Sequence, residues 1–207
     1  PEFNASLKLT DIVFAQAYKE LDMVKKLAPI FNGLTGKFSG SMLIDTKLDE
    51  TMSPVLATMN GSGSLTTRDV SLDGGTVIQK VADVLQKPSL KNTKVKDINL
   101  DFTINEGRVT TKPFSVKLGD YKMDISGTTG LDQTIDYRGK IAIPESLGKL
   151  AKAGTADLII GGTFTSPKVS VDLESLAKSA AKEAAKDAVD KLLGVDVENV
   201  AKGDSAM

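Results

Sequence analysis

The sequence predicts an α+β fold: a long, curved antiparallel β-meander of about eight strands, with helices covering its apolar face. Apolar and polar residues alternate over most of the second half of the chain, and a period of two places the apolar side chains on one face of a strand. Short turn sequences separate these segments, which is typical of neighbouring antiparallel strands. The apolar residues that define this face are Ile98, Leu100, Phe102, Ile104, Phe114, Val116, Leu118, Tyr121, Met123, Ile125, Ile135, Tyr137, Ile141, Ile143, Leu158, Ile160 and Phe164.

The strands of the second half are bounded by recognisable turns. Gly107 ends the connection that starts at Asn105, and glycine supplies the positive φ that a tight hairpin needs. Gly119-Asp120 and Asp132-Gln133 are further turns. Pro113 predicts a bulge over 111–113, because proline cannot donate a hydrogen bond to the neighbouring strand. The predicted strands are 95–104, 108–118, 121–131, 134–143, 155–164 and 169–173.

The first half mixes strands with helices. Alternation predicts strands over 7–12, 36–48 and 61–72, with a loop over 49–54. Apolar residues three or four apart predict a helix from Phe14 to Ala28, which Pro29 ends, and a shorter helix from Val77 to Leu85. A strong helix with a narrow apolar stripe is predicted over 173–193 and ends at Gly194. Residues 145–153 fit either a helical turn or a loop.

One domain is expected over residues 4–194. Pro1-Glu2-Phe3 has the composition of a cloning remnant, since Glu-Phe is what a common restriction site encodes. Residues 195–207 have the composition of a flexible tail. Glycines inside the predicted strands indicate a sheet that curls. They do not match the spacing of a phosphate-binding loop.

The composition restricts the chemistry. The 207 residues include no Cys and no His, which removes thiol nucleophiles, imidazole bases and most zinc or haem ligands. The 26 Lys+Arg residues balance 27 Asp+Glu, so no nucleic-acid partner is expected. We expect a non-enzymatic protein without a cofactor or metal. No apolar run approaches the roughly 18 residues of a membrane helix, and no signal peptide opens the chain. We therefore expect a fragment whose membrane anchor lies outside it.

Five short segments, in this order, resemble the AsmA-like C-terminal region, of the type found in Bacteroidetes. The resemblance covers about residues 7–175, and its best marker is the Gly-Thr-x-x-x-Pro-Lys-Val sequence that starts at Gly162. The long N-terminal repeats of full-length members are missing. The five segments are 34–38, 60–65, 102–109, 130–137 and 162–169.

The resemblance implies a periplasmic location, with a parent protein anchored in the inner membrane of a Gram-negative bacterium. It implies a role in lipid transport and outer-membrane biogenesis, with a curved sheet that offers an apolar trough to lipid. The implied partners are phospholipid or another acyl-chain lipid, and other proteins of the cell envelope. The resemblance transfers no catalytic residues.

Two interpretations of the apolar face stay open. Its residues form either a lipid-binding trough or a plain core covered by helices. In the second case the chain is a structural or protein-interaction scaffold that uses a sheet edge to add a partner strand. The carboxylate pairs Asp97/Asp101 and Asp132/Asp136 could indicate acid–base or metal chemistry. A charged outer sheet face explains the first pair better, and a cap on the turn explains Asp132 better. Lysines at 178, 182 and 186 alternate with acidic residues, which favours a solvated helix face over a membrane contact.

Overall fold

The structure is a computed structural model that describes residues 1–146, 151 and 154–172, and single positions at 174, 177, 178, 181, 182, 184 and 185. It contains a nine-stranded, open antiparallel sheet and a few short helices. The fold is therefore α+β and mostly sheet, with nine strands rather than about eight. The predicted tail over 195–207 and most of the predicted helix over 173–193 lie outside the described residues.

The strands lie in the sheet in the order in which they follow along the chain, so the meander extends over the whole sheet. All eight neighbouring pairs are antiparallel. The strands are β1 (Glu2–Val13), β2 (Leu34–Lys47), β3 (Asn60–Leu72), β4 (Asn99–Asn105), β5 (Arg108–Leu118), β6 (Tyr121–Thr129), β7 (Ile135–Ala142), β8 (Thr155–Gly162) and β9 (Pro167–Val171).

Within residues 1–146 three α-helices accompany the sheet: α1 (Phe14–Glu20), α2 (Asp22–Leu27) and α3 (Thr76–Val84). The single positions described between 174 and 185 are helical as well. Short 3₁₀ turns cover Pro29–Gly33, Leu56–Thr58 and Pro88–Asn92. The prediction of one helix from Phe14 to Ala28 is wrong, because Leu21 is extended and divides it. Helices of this length are marginal alone, so tertiary packing determines their ends.

Several strand boundaries differ from the predictions. β6, β7 and β8 end one or two residues early, and β9 covers Pro167–Val171 instead of 169–173. The largest differences are at the starts of β1 and β4. β1 starts at Glu2 instead of residue 7, because Glu2 and Phe3 lie opposite Lys47 and Thr46 of β2. β4 starts at Asn99 instead of residue 95, because Val95 makes only an isolated bridge, to Leu118. The predicted bulge is confirmed: the register between β5 and β6 shifts between Thr111 and Phe114.

The core consists of two clusters. The larger cluster joins α1 and α3 to strands at both ends of the sheet, through residues such as Phe14, Val81, Phe38 and Leu158. Three aromatic rings pack together in it, with ring centroids 4.6 Å apart for Phe14 and Phe31 and 4.9 Å apart for Phe14 and Phe38. The smaller cluster is built on Leu27, Ile44, Met59 and Ile104. The break at Leu21 lets α1 and α2 bury different residues in the two clusters.

Candidate apolar binding face

One side of the sheet carries a continuous row of side chains that crosses all nine strands. Residues directly opposite each other in neighbouring antiparallel strands lie on the same face. The row is therefore fixed by the pairing register alone. We call it the central row, and its members in strand order are Leu7, Met42, Gly63, Phe102, Thr111, Gly127, Tyr137, Ile160 and Val169.

None of the seventeen predicted face residues is exposed. Nine are buried: Ile104, Leu118, Tyr121, Met123, Ile135, Ile141, Ile143, Leu158 and Ile160. Six more are half-buried and pack against one of the clusters: Ile98, Phe102, Val116, Ile125, Tyr137 and Phe164.

Leu100 and Phe114 differ from the other predicted residues. Both are half-buried, yet neither belongs to the two clusters formed within the described ranges. Leu100 precedes Phe102 on β4, and Phe114 follows Thr111 on β5. Because Phe102 and Thr111 form the last pair between these two strands, Leu100 and Phe114 lie where β4 and β5 no longer pair.

The β1 end of the same side is less covered. Phe3 and Leu7 lie opposite Thr46 and Met42, and they keep 43% and 37% of their surface exposed. Ile44, on the neighbouring strand, is only 7% exposed. Coverage of the apolar side therefore falls off between β2 and β1.

Three hydroxyl groups interrupt the apolar side. Thr129 Oγ1 lies 3.1 Å from the Tyr137 hydroxyl. Thr111 Oγ1 accepts a hydrogen bond from the Gly127 amide at 3.2 Å. Burial raises the pKa of the Tyr137 hydroxyl, and hydrogen bonds with Thr129 and Thr111 oppose this increase. The group therefore stays neutral at physiological pH and supplies hydrogen bonds without charge.

Sequence reasoning identified Tyr137 but missed the two threonines. Thr111 and Thr129 are buried, with only 9% and 3% of their surface exposed. The available signal was their position. Thr129 stands in phase with Tyr121, Met123 and Ile125 of its strand, whereas Thr111 is brought to the same side as Phe114 only by the register shift between them. An inward-facing threonine needs a partner for its hydroxyl. Every such atom has one: no buried side-chain nitrogen or oxygen lacks a hydrogen bond within the described ranges.

Two glycines of the central row lie against aromatic rings. A Cβ atom at Gly63 would stand 2.6 Å from Cζ of Phe102, and one at Gly127 would stand 2.5 Å from Cγ of Tyr137. Each ring therefore occupies the space that a side chain on the opposite strand would need. Glycine at these positions lets large aromatic side chains lie close to the sheet.

The opposite side of the sheet is mostly polar, with Leu43 and Ile159 as its exposed large apolar residues. The carboxylate pairs noted in the sequence do not come together as a metal site among the described residues. Asp101 forms an ion pair with Lys112 at 3.6 Å, and Asp97 is exposed. No group of three or more acidic, histidine or cysteine residues suited to a metal ion occurs among the described residues.

Asp132 caps the turn between β6 and β7, as predicted. Its Oδ1 accepts hydrogen bonds from the Thr134 hydroxyl at 2.7 Å and from the Thr134 amide at 3.1 Å. The hydrogen bond from the Thr134 side chain is the main reason why the pKa of Asp132 lies below its ordinary value of 3.8.

We expect Asp132→Ala to lower the melting temperature near neutral pH and to lose this effect in acid. A depressed pKa means that the carboxylate stabilises the fold above the unfolded-state pKa, and that this contribution disappears as the pH falls through the folded-state pKa. The measurement is the melting temperature of both proteins from pH 7 to pH 2. Thr134→Val is the companion variant and should reduce the same acid-sensitive difference. A difference that persists unchanged at the lowest pH would contradict this account of the turn.

The described residues define an α+β protein, mostly sheet, built on one open antiparallel sheet of nine strands. Comparisons with protein-family models, with curated proteins and with solved structures give no match to this chain. Among the described residues no helix combines the length and apolar character needed to span a membrane.

Proposed function

We propose that this chain is a non-enzymatic, AsmA-like periplasmic domain that binds the acyl chains of lipid along the apolar side of its sheet. In this proposal the sheet curves into a trough, helices fill part of it, and the β1 end stays open to lipid. The parent protein is anchored in the inner membrane and supports lipid transport and outer-membrane biogenesis. The order of short motifs in the sequence supports the family. The exposure of Phe3 and Leu7 beside a buried apolar row supports the lipid.

The position of α3 supports the trough. This helix follows β3 after a three-residue connection, yet it contacts β9. In a flat sheet six strand spacings of about 4.8 Å would separate β3 from β9 by about 29 Å. Three residues reach at most about 11 Å, and a helix is about 10 Å across. A sheet that bends around α3 brings β9 within its reach.

The uncovered residues support an acyl chain as the ligand. Phe3 and Leu7 continue the apolar side from the half-buried Met42 to the edge of the sheet, where the neighbouring charged residues face the opposite side. Each methylene group buried from water contributes about 0.8 kcal/mol. A chain of several methylenes laid along these residues is therefore the ligand whose chemistry fits this surface.

A closed scaffold without lipid is the second candidate. Its support is the burial of nine of the seventeen face residues, eight of which lie in the same core cluster as residues of α1 and α3. In that case the apolar side is a core, and the chain acts through other envelope proteins that contact its edge.

Leu7→Lys separates the two candidates. If the trough binds lipid, this charge at the open end should weaken the binding of a fluorescent fatty acid about tenfold, since losing the contact with two methylenes costs about 1.6 kcal/mol. Fluorescence titration measures the affinity. Native mass spectrometry of the protein purified from cells should show bound phospholipid for the unmodified chain and a depleted complex for the variant.

Leu43→Lys is the matched control. Leu43 lies on β2 opposite Ser6, one position from the Leu7–Met42 pair but on the other side of the sheet, and it is 58% exposed. Its replacement should leave the affinity unchanged. Absence of both bound phospholipid and fatty-acid binding in the unmodified chain would reject the trough and favour the scaffold.

A further inference from the structure

The hydrogen-bonded ladder between β4 and β5 is interrupted. Phe102 and Thr111 form the last pair of the ladder, and the two chain segments meet again at the isolated bridge between Val95 and Leu118. The two pairs are seven positions apart on each segment, so both belong to the same register. Within the described ranges no ladder pair joins the segments between them. Backbone groups that point into this interruption are therefore available to a ligand.

Ser115 places one such backbone group in the interruption. The two-residue turn over 119–120 follows directly on Leu118, which therefore forms a hydrogen-bonded pair with the first residue of β6. Because such pairs alternate along an antiparallel ladder, the Ser115 N–H and C=O point away from β6 and towards β4. Ile98 lies opposite Ser115 in this register, but its carbonyl accepts a hydrogen bond from the Thr67 amide and its amide donates one to the Thr67 hydroxyl, each at 2.9 Å. The Ser115 amide thus has no ladder partner on β4.

Four exposed lysines lie beside the interruption on the polar side of the sheet, and we call them the lysine cluster: Lys94, Lys96, Lys117 and Lys122. Each is the chain neighbour of a buried apolar residue, so its side chain points to the opposite side. Lys117 and Lys122 face each other in a non-hydrogen-bonded pair, in which side chains approach most closely. Lys96 follows Val95 and so lies across the bridge from Lys117. Like charges in facing positions destabilise a sheet, and a bound anion between them would offset this repulsion.

Carboxylates do not neutralise the lysine cluster. Asp124 lies 4.0 Å from Nζ of Lys122, and it also accepts a hydrogen bond from the Ser115 hydroxyl. No carboxylate oxygen of the described residues lies within 4 Å of Nζ in the other three lysines. Asp97 and Asp120 are exposed and stand next to the cluster in the chain, but within the described ranges neither forms an ion pair with it. The cluster therefore keeps unpaired ammonium groups.

A second like-charged pair in the described sheet has a different environment. Lys37 of β2 faces Arg68 of β3, but Asp11 lies 3.5 Å from the Arg68 guanidinium and supplies the opposite charge. The Lys117 side chain, by contrast, has a lysine on each neighbouring segment and no carboxylate in contact within the part of the chain described. This difference makes Lys37 a matched control for Lys117.

We propose that the lysine cluster and the Ser115 amide bind a phosphate group, carried either by an anionic phospholipid headgroup or by free phosphate. Phosphate oxygens accept hydrogen bonds both from a backbone amide and from lysine, whose ammonium group acts on them as a point charge. A phosphate between Lys96, Lys117 and Lys122 meets three ammonium groups and relieves their mutual repulsion. The site lies on the polar side of the sheet, so it goes beyond the proposed binding of acyl chains and does not depend on it.

Inorganic phosphate is the first probe of this site. At equal ionic strength it should raise the melting temperature of the unmodified chain above the value in chloride, because a ligand that binds only the folded state stabilises it. Lys117→Thr should raise the melting temperature in chloride, since the facing like charges disappear, and should lose most of the response to phosphate. Lys37→Thr should keep the full response, which controls for the general stabilising effect of phosphate on proteins. Circular dichroism measures all these melting temperatures.

Vesicles identify the source of the phosphate group. Co-sedimentation should show binding to phosphatidylglycerol vesicles and none to phosphatidylcholine vesicles, whose headgroups carry no net charge. Lys117→Thr and Lys96→Thr should each weaken this binding about fivefold, the usual contribution of one lysine near an anionic surface, whereas Lys37→Thr should not. A response to inorganic phosphate without vesicle binding assigns the site to free phosphate.

Two results would overturn the proposal. One is an equal response to phosphate in Lys117→Thr and in the unmodified chain. The other is the absence of both the phosphate response and vesicle binding in the unmodified chain. Fluorescence titration of Lys117→Thr with a fatty acid should give the affinity of the unmodified chain, so a failure of this site is distinguishable from a failure of the apolar trough.

Discussion

Phe14→Ala is expected to reduce the free energy of unfolding by about 3–5 kcal/mol, the usual loss for a buried phenylalanine. Phe14 has no exposed surface and packs against the rings of Phe31 and Phe38. It is the first residue of α1, so its side chain attaches the helix to β2 where the chain leaves β1. Urea denaturation followed by circular dichroism measures the loss. It is a large share of the roughly 5–15 kcal/mol by which domains are stable.

Phe3→Ala is the matched control for this prediction. Phe3 is also a phenylalanine of the apolar side, but it lies on β1 at 43% exposure. Its removal leaves little cavity, and a loss below about 1 kcal/mol is expected. Similar losses at Phe14 and Phe3 would show that the cluster around α1 does not hold the fold together.

Gly127→Ala is expected to cost about 3 kcal/mol, at the upper end for overpacking. The new Cβ would stand 2.5 Å from both Cα and Cγ of Tyr137 and would also press on the Asp136 carbonyl oxygen. Two of these three atoms belong to the backbone of β7, so the clash cannot be relieved by turning one flexible side chain. The strands β6 and β7 would have to separate, and the hydrogen bond between Thr129 and Tyr137 would be disturbed. Thermal and urea unfolding measure the cost.

Gly161→Ala provides the comparison, since Gly161 is also inside a strand. The nearest heavy atom to a Cβ there, outside its chain neighbours, is the Ile135 carbonyl oxygen at 3.9 Å. We expect a change within about 1 kcal/mol, and a gain is reasonable because alanine restricts the unfolded chain more than glycine does. A cost at Gly161 equal to that at Gly127 would mean that the loss comes from strand conformation in general and not from the close contacts with β7.

These two glycines show where prediction from the sequence stops. Glycines inside strands indicate curvature wherever they occur, and the sequence treats Gly127 and Gly161 alike. Their difference comes from how closely the neighbouring strand approaches each of them, through both its backbone and its side chains. Tyr137 faces Gly127, whereas Lys168 of β9 lies opposite Gly161. The facing residue depends on the pairing register, and the register is a property of two strands together.

The helices show the same limit. Their apolar spacing predicted helical structure over 14–28 and 77–85, and α1, α2 and α3 lie in these regions. The break at Leu21 was missed, because nothing in the local spacing distinguishes one helix from two. It follows from the need to bury Phe14 in one cluster and Leu27 in the other.

The amino-acid sequence by itself determined the number and order of the strands of the second half, their turns and the alternation that places the apolar residues of each strand on one side. These features depend on neighbours a few residues apart, through the alternation of the strand and the preferences of Gly, Pro and Asp in turns. Only the tertiary structure decided how far β1 extends, which part of the apolar side is covered and which threonines lie within it. These features depend on contacts between residues far apart in the chain, whose burial is set by the elements that pack over them.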